Sequence, residues 1–217
     1  MTLSKITRTA LACPLTLVTA ALVAGAFTLA GGCCPHQRVV MGNTFTGENT
    51  PPTFTGPVCL RVERKDQIVT FLVRPNAGEP SASAALLNSD VELDLEYGTA
   101  FASGVRPVVK GVRTNAAANG TGFGMRITRG LNGEELVYVH SGDAAFTSVV
   151  RVSTVDADGT LGRRSVNLAV GQGSRYRYAS DLLEVFDLRA APPPGAPVVP
   201  PEILALAAET RAVLGAP

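Results

Sequence analysis

Residues 91–97 constrain the fold more than any other segment of the chain. They read Val-Glu-Leu-Asp-Leu-Glu-Tyr, an unbroken alternation of apolar and acidic residues. Successive side chains of a strand point to opposite faces, so this alternation predicts a strand with one buried face and one solvated face. Seven more segments of five to nine residues predict strands, namely 68–74, 105–112, 123–128, 136–140, 147–155, 164–170 and 182–188.

Two short turns indicate how these strands connect. Residues 130–133 read Gly-Leu-Asn-Gly and residues 156–159 read Asp-Ala-Asp-Gly, and the Asn-Gly and Asp-Gly pairs are typical of hairpins. The predicted fold class is therefore all-β over residues 58–190. The favoured form is an antiparallel β-sandwich, Ig-like or jelly-roll-like with its topology open, and a barrel is the alternative. The Ala- and Ser-rich residues 76–89 predict a loop or one short helix.

The composition changes after residue 190. Residues 191–201 contain six prolines and predict an extended linker. Residues 202–215 then show the spacing of a short amphipathic helix. A helix this short is only marginally stable on its own in water. We expect its apolar face to dock on this domain or on a protein partner, through Ile203, Leu206 and Val213.

The N-terminus predicts export. Lys5 and Arg8 precede a run to Gly32 that holds no Asp, Glu, Lys, Arg or His, the arrangement of a signal peptide over residues 1–32. The run ends Leu-Ala-Gly-Gly-Cys, which resembles the signal of bacterial lipoproteins, with Ala30 where the family usually has a larger aliphatic residue. The resemblance implies lipidation at Cys33. An alternative is a membrane-spanning helix over residues 11–30.

Lipidation at Cys33 would place the rest of the chain in the bacterial envelope. We expect it to be membrane-anchored there, at the outer membrane or the periplasmic face if the cell is Gram-negative. The Thr-, Pro- and Gly-rich residues 33–57 predict a tether. Cys34 and Cys59 would then form a disulfide, or Cys34 would remain a free thiol and Cys59 would be buried.

Charge argues against nucleic acid as a partner. The first 32 residues hold two of the 19 basic residues and none of the 18 acidic ones, which leaves a net charge of −1 on the remainder. A phosphate backbone requires a basic surface. We instead expect the acidic strand face of Glu92, Asp94 and Glu96 to bind a basic partner, for which residues 175–178 of the same chain are one candidate.

Two motifs suggest chemistry but fit turns better. Asp156 and Asp158 resemble the start of a calcium loop, yet the later ligands of such a loop are missing. His140, Ser141 and Asp143 are adjacent, whereas catalytic groups normally come from separate segments. We therefore expect no metal, no cofactor and no catalytic residue.

The sequence thus predicts a bacterial envelope lipoprotein that acts as a non-enzymatic binding or structural module. One alternative is an exported hydrolase whose site is assembled from scattered carboxylates or from His140. A second alternative is a calcium-stabilised adhesive module.

Overall fold

The computed structural model describes residues 41–42, 53–64, 67–87, 92–142, 149–156, 160–189 and 198–215. Cys33, Cys34 and Asp158, with the predicted signal and most of the predicted tether and linker, lie outside these ranges. The described residues form fourteen strands and one helix. They are β1 (Met41–Gly42), β2 (Thr53–Phe54), β3 (Val58–Arg64), β4 (Gln67–Arg74), β5 (Ala82–Leu87), β6 (Glu92–Gly104), β7 (Val108–Lys110), β8 (Thr114–Ala118), β9 (Thr121–Ile127), β10 (Glu134–Gly142), β11 (Val149–Val155), β12 (Leu161–Ala169), β13 (Gln172–Arg177), β14 (Leu182–Asp187) and α1 (Pro201–Leu214).

The described strands belong to one curled, mixed sheet. Its main path runs β12-β11-β8-β7-β6-β9-β10-β13-β14, with β4 and β5 also pairing with β6. Most pairs are antiparallel, but β1 pairs with β5 and β6 pairs with β7 in parallel. The expectation of purely antiparallel pairing was therefore wrong for these two pairs. The predicted all-β class with a C-terminal helix is confirmed, whereas a sandwich of two separate sheets is not.

Strand β6 joins the two arms of the sheet. Its first half pairs with β5 and β7, and its second half, from Gly98 onward, pairs with β4 and β9. Gly98 has φ +112°, and a Cβ there would lie 2.5 Å from the Cβ of Ala82. Only glycine fits this backbone conformation and this close approach. The change of partners at Gly98 lets one strand serve both arms.

The larger hydrophobic cluster draws side chains from both arms, including Phe71, Phe123 and Val137 on one arm and Leu93 and Val152 on the other. A second cluster lies on the opposite face of the β4–β6–β9–β10–β13 arm, under α1. Sheet residues of this arm are thus buried on both faces.

The predicted strands and hairpins agree with the structure at most positions. Residues 130–133 form the turn between the antiparallel strands β9 and β10, and the strands on either side of residues 156–159, β11 and β12, also pair antiparallel. The prediction for residues 76–89 was wrong, because β5 occupies Ala82–Leu87. Its alanines have little intrinsic strand preference, but Ala82, Ala84 and Ala85 are fully buried. Small side chains there let β5 pack closely, and this packing overrides propensity.

The predicted helix over 202–215 is confirmed as α1, which begins at Pro201. Proline is favoured at a first helical position because its missing N–H would have no partner there. No helix among the described residues combines the length and apolar character needed to cross a bilayer.

Candidate functional site

A cavity of about 490 Å³ opens at the end of the β9–β10 hairpin. Its lining comes from segments that are distant in sequence, since β2, β6, the turn after β7, the hairpin turn and the end of β13 all contribute. The lining residues are Thr53, Glu96, Tyr97, Val112, Thr128, Arg129, Gly130 and Tyr178. It is open to solvent on one side, and its volume falls in the range of small-molecule sites.

Arg129 supplies the positive charge of the cavity. Its guanidinium carbon lies 3.0 Å from the ring centroid of Tyr97, a cation–π contact. The Tyr97 hydroxyl lies 3.3 Å from Ser81 Oγ, which orients the ring. Arg129 is exposed and has no carboxylate partner among the described residues. The cavity therefore presents a cation on an aromatic platform.

Glu96 supplies the negative charge of the same cavity. Its Oε2 accepts a hydrogen bond from Ser83 Oγ at 2.9 Å, and it forms no ion pair with Arg129. Two opposite charges thus line one cavity without neutralising each other.

Tyr178 forms a wall of the cavity and is held from behind by a buried carboxylate. Its hydroxyl donates to Glu135 Oε1 at 2.7 Å. The remaining donors are the Arg113 N–H, at 2.6 Å, and the Thr114 N–H and Oγ1, at 2.9 and 2.5 Å. Glu135 is only 1 % exposed, so these four hydrogen bonds replace its lost hydration. A Cβ at Gly111 would lie 2.3 Å from Glu135 Oε2, so the turn after β7 depends on glycine there.

Burial is the largest influence on the pKa values of Glu135 and Tyr178. It raises the pKa of the Glu135 carboxyl, and the hydrogen bonds from Thr114 and Tyr178 oppose it. Burial, the Glu135 charge and the hydrogen bond to Glu135 raise the pKa of the Tyr178 phenol well above its usual range. Tyr178 therefore remains a neutral donor, committed to Glu135, and presents its ring to the cavity.

The three carboxylates of the predicted acidic face have different surroundings. Glu92 forms an ion pair with Lys110 at 2.6 Å, and Asp94 is in register with Lys110 on the parallel neighbour β7. Burial raises the pKa of Asp94, while Lys110 lowers it and Glu96 and Glu92 raise it further. Only Glu96 of the three lines the cavity.

The basic segment suggested as a partner for that face mostly pairs elsewhere. Arg175 and Arg177 form ion pairs with Glu184 of β14, at 2.9 and 3.3 Å. Tyr178, at the end of the segment, reaches the cavity that Glu96 also lines.

The helix residues predicted to dock are buried against this chain's own sheet. Ile203 and Leu206 are fully buried and Val213 is half-buried; together they pack in the cluster that contains Phe101, Leu136, Tyr138 and Phe186. Binding of a separate protein partner through these side chains remains a prediction.

Polar contacts hold the helix in register on the sheet. Glu209 accepts hydrogen bonds from Arg74, at 2.7 Å, and from Arg126, and Arg211 donates to the Tyr138 hydroxyl at 3.0 Å. A Cβ at Gly124 would lie 2.3 Å from Thr210 Oγ1. The absence of a side chain at position 124 therefore lets α1 approach the sheet.

His140 and Asp156 both make contacts with backbone carbonyl oxygens of this chain. The buried His140 places Nε2 2.5 Å from the carbonyl oxygen of Gly215, just beyond the last turn of α1. The Asp156 N–H donates to the Thr160 carbonyl at 2.9 Å, which links the end of β11 to the residue before β12. No group of three or more His, Cys, Asp or Glu side chains within the described ranges has a geometry that could hold a metal ion.

Cys59 is buried and takes part in a disulfide. The other three cysteines of the chain, Cys13, Cys33 and Cys34, lie outside the described residues. The pairing of Cys34 with Cys59 and the lipidation of Cys33 remain predictions.

Sequence reasoning did not assign Tyr97, Arg129 or Glu135 to a site, and it named Tyr178 only within residues 175–178, the candidate partner of the acidic face. One signal was available, because Glu135 has the same strand phase as the buried Val137. An acidic residue on the inward face of a strand requires partners. The sequence does not reveal that those partners come from residues 113–114 and 178.

Comparison with known proteins gives only distant structural matches. No protein-family model matches the chain, and no curated protein matches it. Two crystal structures of "a putative anti-sigma factor from Parabacteroides distasonis ATCC 8503", at 1.65 and 2.50 Å resolution, match with TM-scores of 0.37 and 0.39 and 12 % identity. The matches cover 65 % and 64 % of this chain, which spans 59 % and 61 % of theirs. The chain is thus similar to these proteins only at a level that carries no argument about its fold or its function.

Proposed function

We propose that this chain is an exported, lipid-anchored binding module of a bacterial envelope, and that it acts without catalysis. The observation that carries the binding role is the cavity in which Arg129 and Glu96 present opposite charges without pairing. Groups left available in a concave site can recognise a ligand.

The proposed location rests on the N-terminal sequence, with one supporting structural feature. Cys33 follows the residues that resemble a lipoprotein signal, and Cys59 takes part in a disulfide. Disulfides persist in oxidising compartments such as the bacterial periplasm. A lipid on Cys33 would hold the β-domain at a membrane surface, where its cavity could meet small ligands.

We infer that the two arms of the sheet lie face to face as the layers of a sandwich, with β6 as their shared strand. The support is the single core cluster that draws on both arms.

Expression of the full chain in a bacterial host tests the anchor. The unaltered protein should sediment with membranes and incorporate labelled palmitate, whereas Cys33→Ser should do neither. Cys34→Ser is the matched control, because it removes the neighbouring thiol and leaves Cys33 in place; it should label like the unaltered protein. Equal labelling and sedimentation of Cys33→Ser would refute the proposed anchor.

A further inference from the structure

We infer that the cavity between Arg129 and Glu96 binds a small molecule that carries a carboxylate at one end and a hydrogen-bond donor, ammonium or hydroxyl, at the other. Short peptides and sugar acids share this chemistry. The inference rests on the proposed binding function and specifies its ligand. It does not depend on the lipid anchor.

Arg129 would bind the carboxylate. A guanidinium matches a carboxylate with two parallel N–H donors, and stacking over an aromatic ring leaves those donors available. The contact of Arg129 with Tyr97 holds the guanidinium in this way, and no described carboxylate occupies it.

Glu96 would bind the donor group. An ionised carboxylate can accept several hydrogen bonds on its two oxygens. The bond from Ser83 is made to Oε2, which leaves acceptor capacity on Oε1. A hydroxyl or an ammonium group of the ligand can use it.

The walls of the cavity suit a compact ligand with some apolar surface. Tyr97, Tyr178 and Val112 contribute apolar surface to the same lining. The hydroxyls of both tyrosines are engaged, Tyr97 with Ser81 and Tyr178 with Glu135. The rings are therefore positioned before a ligand arrives, which lowers the entropy cost of binding. Arg129 and Glu96 remain the charged groups that select the ligand.

Calorimetric titration of the detergent-purified full chain tests this chemistry. The probes are the dipeptide Ala-Ala, its N-acetylated form, its C-terminal amide and glucuronate. Ala-Ala or glucuronate should bind at least about tenfold more tightly than either blocked dipeptide, because each blocked form loses a charge-assisted contact. The tighter of the two unblocked probes identifies the source of the ligand. The inference is overturned if the blocked dipeptides bind as tightly as the better unblocked probe, or if neither unblocked probe binds.

Variants locate the site. Arg129→Gln and Glu96→Gln should each weaken the better probe at least about tenfold. Arg151→Gln is the matched control, since Arg151 is an exposed arginine on β11 that does not line the cavity; it should bind like the unaltered chain. Unchanged binding by Arg129→Gln overturns the assignment. If no probe binds but Cys33 still incorporates palmitate, only the ligand inference is refuted. If the probes bind as expected but Cys33 is not labelled, only the proposed anchor is refuted.

Discussion

The face under α1 and the cavity at the β9–β10 turn use charge in opposite ways. Under the helix, Glu209 lies between Arg74 and Arg126 and is hydrogen-bonded to both. In the cavity, Arg129 and Glu96 line the same space and do not pair. Paired charges position one element of the fold on another, whereas unpaired charges in a concave site remain available to a ligand.

The two regions also differ in what rigidifies them. The helix face is mainly an apolar contact, in which Ile203 and Leu206 have no exposed surface. The cavity wall depends on a polar cluster, because Tyr178 is held by the buried Glu135. Substitutions should therefore destabilise the domain in both regions, but through different interactions.

Glu135→Ala should produce the largest loss of stability. It removes the acceptor of four buried hydrogen bonds and leaves Tyr178 and the Arg113–Thr114 backbone without a partner. We expect a loss of roughly 3–5 kcal/mol in the free energy of unfolding, measured by urea denaturation. Glu134→Ala, at the half-buried neighbouring position, is the control and should cost much less. Similar losses in both variants would contradict the role of the cluster.

The same carboxyl predicts a pH dependence. Because burial raises the pKa of Glu135 in the folded state, the folded chain binds more protons than the unfolded chain between the two pKa values. The contribution of the Glu135 carboxyl to the free energy of unfolding is then greatest below its pKa in the unfolded chain. It is lost as the pH rises through its pKa in the folded chain. The stability difference between the unaltered chain and Glu135→Ala should accordingly be larger at low pH than at high pH. The opposite trend would mean that the hydrogen bonds outweigh burial.

Leu206→Ala should produce the next largest effect. It creates a cavity between α1 and the sheet at a fully buried position, and such truncations cost about 2–5 kcal/mol. Leu204→Ala makes the same chemical change on the same helix at a position that is 50 % exposed, and it should stay within about 0.5 kcal/mol. Thermal and urea unfolding would compare the two. Equal effects would show that α1 contributes little through its apolar face.

Glu209→Gln should have a smaller effect. It weakens the hydrogen bonds from Arg74 and Arg126, but the side chain of Glu209 is 30 % exposed, so water screens much of the loss. We expect about 1 kcal/mol, and less at high salt. Glu202→Gln, an exposed position in the first turn of α1, serves as the control. A loss that does not respond to salt would argue against an electrostatic origin.

Arg129→Gln should have the smallest effect on stability. The exposed guanidinium contacts only the Tyr97 ring among the interactions of the described residues, so we expect a change within about 0.5 kcal/mol. Its ligand affinity should nevertheless fall, unlike that of Glu209→Gln. This contrast between stability and binding would separate the two regions most clearly, and a large loss of stability in Arg129→Gln would contradict it.

The amount that could be predicted differs from element to element. The alternation at residues 91–97 located the first half of β6, and proline, periodicity and a terminal glycine located α1. The Asn-Gly and Asp-Gly turns identified two hairpins. Strand β5 was missed because an Ala-rich segment becomes a strand only when neighbouring strands bury it. The parallel pairing of β6 with β7 was missed because pairing partners leave no local pattern.

The candidate site was mostly hidden from sequence reasoning. The strand alternation identified Glu96, but as part of an acidic face that includes Glu92 and Asp94. In the structure Glu92 forms an ion pair with Lys110, so these carboxylates do not act as one free surface. Arg129 lies in a hairpin turn and carries no motif. Tyr178 and Glu135 are 43 positions apart, and nothing local connects them.

The sequence by itself determined where the strands alternate, where two hairpins turn and where the helix begins, because backbone preferences and side-chain periodicity are local properties. The proposed anchor also follows from the sequence alone, through Cys33 and the apolar run that precedes it. Only the tertiary structure decided that β6 serves both arms, that α1 packs on its own sheet, and that Arg129 and Glu96 line one cavity without pairing. These outcomes depend on which distant strands pair and in what register, and that choice is made by the packing of the whole core.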